Sequence, residues 1–476
     1  MIDLLSNAVG GHVVACNDQF FAEAANLLKV SEPEWKEGVY TDHGKWMDGW
    51  ETRRRREPGH DWVVLALGIP GRVRRVVVDT SYFTGNYPEA FSLEACGVGS
   101  DERVDSAGWA ELIPRTPLEG DAVATFDVTE PHRVTHVRVN IYPDGGVARL
   151  RVHGHPLPSI GLVCPEEPTD LAGAAVGGQA LDASDSHYSD PSNLLLPTKP
   201  AGMWDGWETR RRRQSGHDWA TFRLGLPGTV ERLVVDTTHF KGNAPGWVSF
   251  EVSEEGTAWE TVIERAPVQP DAVNVVPMEP PAPAAFVRLS LHPDGGVARL
   301  RVMGRPAARV AVTRRLEYLN ALFDPEAQRF FNAVCASSRW VETMVSARPF
   351  ESPKSAFISA EEAFGLLEPG DWLEAFAGHP RIGESGDAVS AREQAGTARA
   401  PRRLLEELAA VNAEYERRFG FTYIVYATGK TAEEMLEIAR GRLNNAKEEE
   451  LSNAAAEQKK ITWTRLRRML CVSEEQ

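Results

Sequence analysis

The chain reads as two tandem antiparallel β-sandwich domains followed by a helical domain. Three observations predict this. A long block recurs: residues 46–86 contain DGWETRRRREPGHDW and VVVDTSYFTGN, and residues 203–243 contain DGWETRRRRQSGHDW and VVDTTHFKGN. Within each copy the apolar runs are short and β-branched, with Gly, Pro and Asn-Gly punctuation, which is the pattern of a sandwich rather than of alternating strands and helices. After about residue 313 the apolar residues recur at helical spacing instead.

Taken in order, the first copy spans 1–156, with WVVLALG, RRVVVDT, HVRVNIY and ARLRV as strands. The offset between copies is 157 at Trp50/Trp207 and at Asp79/Asp236, but 150 at the later PDGGVARLRV blocks, so the second copy has lost seven residues in between. Copies of this length are whole domains rather than solenoid repeats. The stretch 157–177, rich in Pro, Gly and Ala, reads as a linker, and the second copy as 178–306. The helical domain is expected over 314–476, with the chain dividing near 307–313. Thr431 with Glu434 forms a capping box ahead of its AEEMLEIARGRL helix. FTYIVYAT at 421–428 has strand composition, but a short apolar run in a helical context is ambiguous.

The net charge of −16 argues against a nucleic-acid partner, which needs a basic surface. No run of about 18 apolar residues occurs, so no transmembrane helix is expected, and MIDLLSNAVGG does not read as a secretory signal. Five widely spaced cysteines without CxxC suit neither a disulfide framework nor a zinc ribbon, and point to a reducing cytoplasm.

Polar residues concentrate in three places in each copy: Asp48–Arg56 with Gly59-His60-Asp61-Trp62, the stretch Asp79–Asn86, and the Asp144 turn. Their twins are Asp205–Arg213 with Gly216-His217-Asp218-Trp219, then Asp236–Asn243, and Asp294. Each has a bland reading: a solvated arginine face with cross-strand ion pairs, or a PDGG hairpin turn. The functional reading has chemical logic. Arg53 or Arg210 would fork a substrate carboxylate. His60 or His217 would move a proton at a departing nitrogen, with Glu51, Glu208, Asp61 and Asp218 as further substrate-binding candidates. No serine-hydrolase elbow, P-loop or zincin helix occurs.

DGWETRRRR, GHDW, VVVDTSYFTGNYPE and GGHVVACNDQFF together resemble the allantoicase family, and the likeness covers about residues 1–306. The resemblance implies tandem jelly-roll-like β domains that cleave allantoate to ureidoglycolate and urea. Arg for the carboxylate and acid–base groups for the departing urea suit that substrate. It leaves metal dependence open, a divalent ion included, since no diagnostic ligand spacing occurs.

Only one of the 12 histidines lies beyond residue 313, His379 in AFAGHPRIG. DWLEAFAGHPRIG, SAREQAG, ERRFGFTYIVYATGK and RLNN, in that order, resemble the decarboxylases of 2-oxo-4-hydroxy-4-carboxy-5-ureidoimidazoline (OHCU), over about residues 314–476. That resemblance implies an all-helical fold, in which FTYIVYAT is not a sheet strand, and cofactor-free decarboxylation to (S)-allantoin. It places the catalytic histidine on His379, a substrate-binding Glu-Gln pair on Glu393 and Gln394 with Glu393 also counted as catalytic, and further substrate binding on Arg442 and Pro380. Asn444 stands where the family often has Gly.

The expected protein is a bifunctional enzyme of urate breakdown acting on small ureides. Homo-oligomers and association with other urate-pathway enzymes are open to it. The alternative makes the sandwiches a ligand-binding module attached to the decarboxylase.

Overall fold

The computed structural model describes residues 1–99, 104, 108–163, 166–382 and 400–472. The chain divides into two compact units, Met1–Phe323 and Asp324–Gln476. The first holds both sandwiches and the second is helical, as the sequence predicts.

The first sandwich contains β1 (Ile2–Asp3), β2 (His12–Cys16), β3 (Asp61–Asp79), β4 (Ala90–Cys96), β5 (Ala110–Pro117), β6 (Val123–Asp127), β7 (Val134–Tyr142) and β8 (Arg149–Pro156). They are antiparallel in the order β1-β8-β3-β7-β4-β5, with β2 and β6 also on β3. One strand serves both layers: Asp61–Ala66 pairs with β2 and β7, while Gly71–Asp79 pairs with β8 and Arg75–Asp79 with β6. WVVLALG and RRVVVDT, separate by punctuation, are therefore halves of a single strand. The Gly68-Ile69-Pro70-Gly71 between them is a bend rather than a loop. Gly68 is required there, because a Cβ would lie 2.4 Å from Val9 O. Its twin Gly225 would meet Val176 O at 2.3 Å.

The second sandwich repeats the plan with β9 (Thr169–Asp170), β10 (Gln179–Ala183), β11 (Asp218–Asp236), β12 (Trp247–Ser253), β13 (Glu260–Pro267), β14 (Val273–His292) and β15 (Arg299–Pro306). Their order is β9-β15-β11-β14-β12-β13, with β10 on β11. The missing seven residues come from one connection, 97–109 between β4 and β5 against 254–259 between β12 and β13. β9 lies inside the stretch expected as linker.

PDGG is not a hairpin turn. It joins β7 to β8, which are not neighbours in the ladder, so it is a corner between layers. Its aspartate reaches elsewhere: Asp144 Oδ2 accepts from Arg55 N at 2.8 Å, and Gly145, at φ 142°, exchanges hydrogen bonds with Thr52. The ARLR arginines are also structural. Arg149 is buried and pairs with Asp48 at 2.5 Å, and Arg299 pairs with Asp205 at 2.8 Å. Alternate residues of the strands fill the core, with Trp50, Phe91, Trp207, Phe222 and Phe250 fully buried.

Helix α1 (Ala308–Asn320) belongs to the first unit, where Arg315 Nε donates to Val163 O at 2.7 Å. The expected start of the helical domain, residue 314, falls inside it. The second unit contains α2 (Asp324–Asn332), α3 (Ser338–Ser346), α4 (Pro353–Gly365), α5 (Pro369–Ala377), α6 (Arg402–Phe419), α7 (Ala432–Arg442) and α8 (Lys447–Leu470). Phe331, Trp340, Phe376, Tyr415 and Tyr423 form much of its core. The Thr431–Glu434 capping box is formed. Residues 421–428 run between α6 and α7 without entering a sheet. The four described cysteines, Cys16, Cys96, Cys335 and Cys471, form no disulfide with one another; Cys164 lies outside the described residues.

Candidate functional site

The first sandwich carries an open cleft of about 750 Å³ on the layer made by β2, the first half of β3, β7, β4 and β5. The period of two that buries one face of β4 and β7 turns Ser92 and Glu94, and Arg138, Asn140 and Tyr142, onto the cleft face. Glu94 is gripped on both oxygens: Arg138 Nε and Nη2 donate at 2.6 and 2.7 Å, and Asn140 Nδ2 at 2.8 Å. The Arg138 bonds hold its carboxyl below the usual range, with partial burial working against them, so Glu94 is ionised at neutral pH. The Tyr142 hydroxyl shares a 2.9 Å hydrogen bond with Ser92 Oγ. His60 lies over Tyr142 at 5.0 Å and Arg115 at 4.4 Å. Arg138 lies over Trp109 at 4.8 Å. Arg115 is exposed and has no carboxylate partner among the described residues.

Of the residues chosen from sequence, His60 lines this cleft. Asp61 stands just beneath, 2% exposed, accepting from Arg55 Nη1 at 2.6 Å and Asn17 Nδ2 at 2.8 Å. Arg53 is elsewhere, ion-paired to Asp18 at 2.6 Å, as Arg210 is to Asp185 at 2.7 Å. Glu51 lines a separate cavity of about 360 Å³ and accepts from Asn86 at 2.7 Å. Burial lifts its carboxyl above the usual range against that bond. Glu208 accepts from Asn243 likewise at 2.7 Å. In the second sandwich Asp218 accepts from Arg212 and Ser184, and His217 stands 4.6 Å from His292.

Sequence reasoning missed Glu94, Arg138, Arg115 and Tyr142. Glu94, Arg138 and Tyr142 are single polar residues in otherwise apolar stretches of strand, and Arg115 lies on an exposed strand. A signal was present, since Glu94, Arg138, Trp109 and Arg115 recur at the repeat offsets as Glu251, Arg288, Trp259 and Arg265. No group of three or more His, Cys, Asp or Glu side chains converges as metal ligands would among the described residues.

In the helical unit, His379 and Pro380 follow α5 and wall a small cavity with Ile382, Ile461 and residues 423–428. Thr428 Oγ1 is buried there without a hydrogen-bond partner among the described residues. Arg442, at the end of α7, ties to the cavity wall through Nη1 to Ile424 O at 2.7 Å. Behind it Glu450 is fully buried, accepting from Arg442 Nε at 2.7 Å, from Asn445 Nδ2 at 2.7 Å and from the Tyr415 hydroxyl. Burial and the Glu450 bond push the Tyr415 phenol far above its usual range. Glu393 and Gln394 lie outside the described residues.

The allantoicase repeat family matches residues 2–157 and 169–307, and the OHCU decarboxylase family matches 320–467. A probable allantoicase of Pseudomonas paraeruginosa is 44% identical over 318 residues, 64% of this chain and 96% of the relative. The crystal structure of allantoicase from Saccharomyces cerevisiae is 34% identical, covers 64% of this chain and 92% of its own, and has a TM-score of 0.53. An OHCU decarboxylase solved in the presence of (S)-allantoin is 32% identical over 30% of this chain and 97% of its own, with a TM-score of 0.28. The chain thus belongs to the allantoicase family and carries an OHCU decarboxylase domain behind its two repeats, a bifunctional enzyme of ureide degradation.

Proposed function

We propose that the first-repeat cleft is where allantoate is hydrolysed, and that His379 serves the decarboxylation of OHCU. The observation that carries the first assignment is that Glu94 and His60 line one cleft with Tyr142, whose ring Arg115 overlies at 4.4 Å. Allantoate has one carboxylate and two ureido groups on a central carbon. The exposed Arg115 fork suits the carboxylate, and the ionised Glu94 accepts ureido N–H bonds. The C–N bond to one ureido group breaks with its electron pair leaving on nitrogen, which takes a proton from His60. Water adds to the central carbon and yields its proton to Glu94. The products are urea and ureidoglycolate.

In the helical unit the C–C bond to the carboxylate breaks, CO₂ leaves, and the electron pair enters the adjoining ring C=N. The carbon that lost CO₂ becomes a carbonyl as its hydroxyl proton passes to the ring nitrogen, and His379, whose side-chain type exchanges protons at neutral pH, delivers a proton to the former C=N carbon that bears the ureido group. Arg442 sets the anion side of the site, and Glu393, Gln394 and Pro380 are assigned to substrate binding with it. The ring serves as the electron sink, so this step is assigned no cofactor. A divalent ion remains an option for the allantoicase reaction. No helix among the described residues is long and apolar enough to cross a membrane. We place the protein in the cytoplasm, with small ureides as its partners, no nucleic acid or membrane partner, and self-association or assembly with other urate-pathway enzymes open to it.

The test is the purified full chain assayed on allantoate and on OHCU, with and without chelator. Urea release and (S)-allantoin formation are expected. Allantoate binding without urea release would favour a binding module.

A further inference from the structure

The two sandwiches descend from one repeat, yet their polar clefts differ at four points that bear on catalysis. The first is the grip on the carboxylate. Glu94 receives three hydrogen bonds between 2.6 and 2.8 Å, whereas Glu251 receives one, from Arg288 Nη1 at 3.4 Å. A bond that long is near the limit of a hydrogen bond, and it does not fix the carboxylate. The second is the residue beside it. Asn140, which reaches both Ser92 and Glu94, is replaced by Ser290, which makes no side-chain bond to Glu251.

The third point is the arginine itself. Arg288 turns Nε to Thr221 Oγ1 at 3.3 Å and lies 5.2 Å from Trp219, while its 4.2 Å contact with Trp259 matches that of Arg138 with Trp109. Thr221 stands where the first repeat has Val64, so this diversion has no counterpart there. The fourth is the aromatic platform. His292 replaces Tyr142. It keeps the serine bond (Ser249 at 2.8 Å, as Tyr142 to Ser92 at 2.9 Å) and the overlying imidazole (His217 at 4.6 Å, as His60 at 5.0 Å). Tyr142 is overlain by Arg115, but His292 is not overlain by Arg265. Arg265, the twin of Arg115, lies instead over Trp247 at 4.4 Å, where the first repeat has Ala90. The change from Glu111, which lines the first cleft, to Thr261 alters the rim as well.

Acid–base catalysis needs its groups held to within about half an ångström of the productive geometry. The first repeat has a carboxylate held from both sides, an imidazole on a tyrosine, and a cation beside them with no ion pair among the described residues. The second keeps the residue types in part but lets the carboxylate loose and places Arg265 on the face of Trp247 instead. We infer that the first repeat alone turns over allantoate, and that the second repeat's cluster is a non-catalytic remnant that serves the fold. This rests on the cleft being the allantoate site.

The experiment uses the full-length chain and reads urea release from allantoate for Glu94→Gln, Glu251→Gln and His60→Asn, with thermal unfolding of each. Glu94→Gln is expected to lower kcat by about 10²-fold or more, and Glu251→Gln to change it less than about 2-fold. His60 is exposed, so His60→Asn disturbs no core packing and guards against a folding artefact; it should show a loss like that of Glu94→Gln. Two equal, independent sites would leave about half the activity in either glutamine variant. That result would overturn the inference while keeping the cleft, whereas a loss confined to Glu251→Gln would overturn both the inference and the first-repeat assignment. Wild-type rates in all three variants would overturn the cleft assignment itself.

Discussion

Glu450→Gln tests how the decarboxylase site is held together. Glu450 is 0% exposed and Arg442 has 12% of its side chain exposed, with Nε and Nη2 at 2.7 and 2.5 Å from Oε1. The substitution keeps shape and one acceptor but removes the charge that balances the guanidinium. Breaking a buried pair from one side costs about 3–5 kcal/mol, because the remaining charge is uncompensated. Gln retains part of the bonding, so about 3 kcal/mol is expected. With a urea dependence of about 2 kcal/mol per molar, the midpoint of the helical transition should fall by about 1.5 M. Far-UV circular dichroism of the full chain follows it, since helices dominate that unit. Released from Glu450, Arg442 should also lose its set orientation, and kcat/KM on OHCU should fall mainly through KM. A midpoint moving by less than about 0.3 M would refute the ion-pair account.

His379→Asn should lower the rate of (S)-allantoin formation by about 10²-fold or more while leaving urea release from allantoate unchanged; a folded variant at the wild-type rate would remove His379 from the chemistry. Arg115→Ala should raise KM for allantoate by about tenfold or more, the worth of one charge-assisted hydrogen bond, with little change in kcat. Steady-state kinetics on the full chain separates the two effects. The pH dependence of stability should carry a mark of His136. Burial holds its imidazole down at about 4 from an ordinary 6.5, so the folded state prefers the neutral ring. The stabilisation is complete above pH 6.5 and is lost as pH falls from there to about 4. A tenfold difference in proton affinity between the folded and unfolded states corresponds to about 1.4 kcal/mol, and screening of a ring that is partly exposed reduces the total to about 1–2 kcal/mol. Urea melts of wild type and His136→Gln at several pH values should converge or diverge across that window; parallel curves would count against it.

The duplication, the sandwich class and the helical tail were legible because each leaves a periodic or repeated mark in the residues. The offset change from 157 to 150 even foretold a shortened connection, which the structure locates between β12 and β13. What hid was contact at a distance. The arginine run looked like a ligand-binding fork, but Arg53 is taken by Asp18, thirty-five residues away. Arg55, two residues on, is held by Asp61 and lines the cleft. PDGG looked like a hairpin because turn chemistry is local, whereas its role as an interlayer corner depends on which strands flank it. Glu94 and Arg138 were silent because one charged residue in an apolar strand gives no local cue to the partner across the ladder. Pro70 and two glycines broke the pattern of β3 without breaking the strand, since a bend that changes layer tolerates a residue with no N–H donor.

The continuous strand through that bend governs how each sandwich opens. The amides of Asp61–Asp79 are shared between two layers, so neither layer can detach without disrupting a strand on which the other depends. Peeling one sheet away is thereby suppressed, and each sandwich should behave as a single foldon. In deuterium exchange under native conditions, the amides on either side of Gly68-Ile69-Pro70-Gly71 should exchange together, at the rate of global opening and with a common denaturant dependence. The same synchrony should hold across Gly225-Leu226-Pro227-Gly228 in β11.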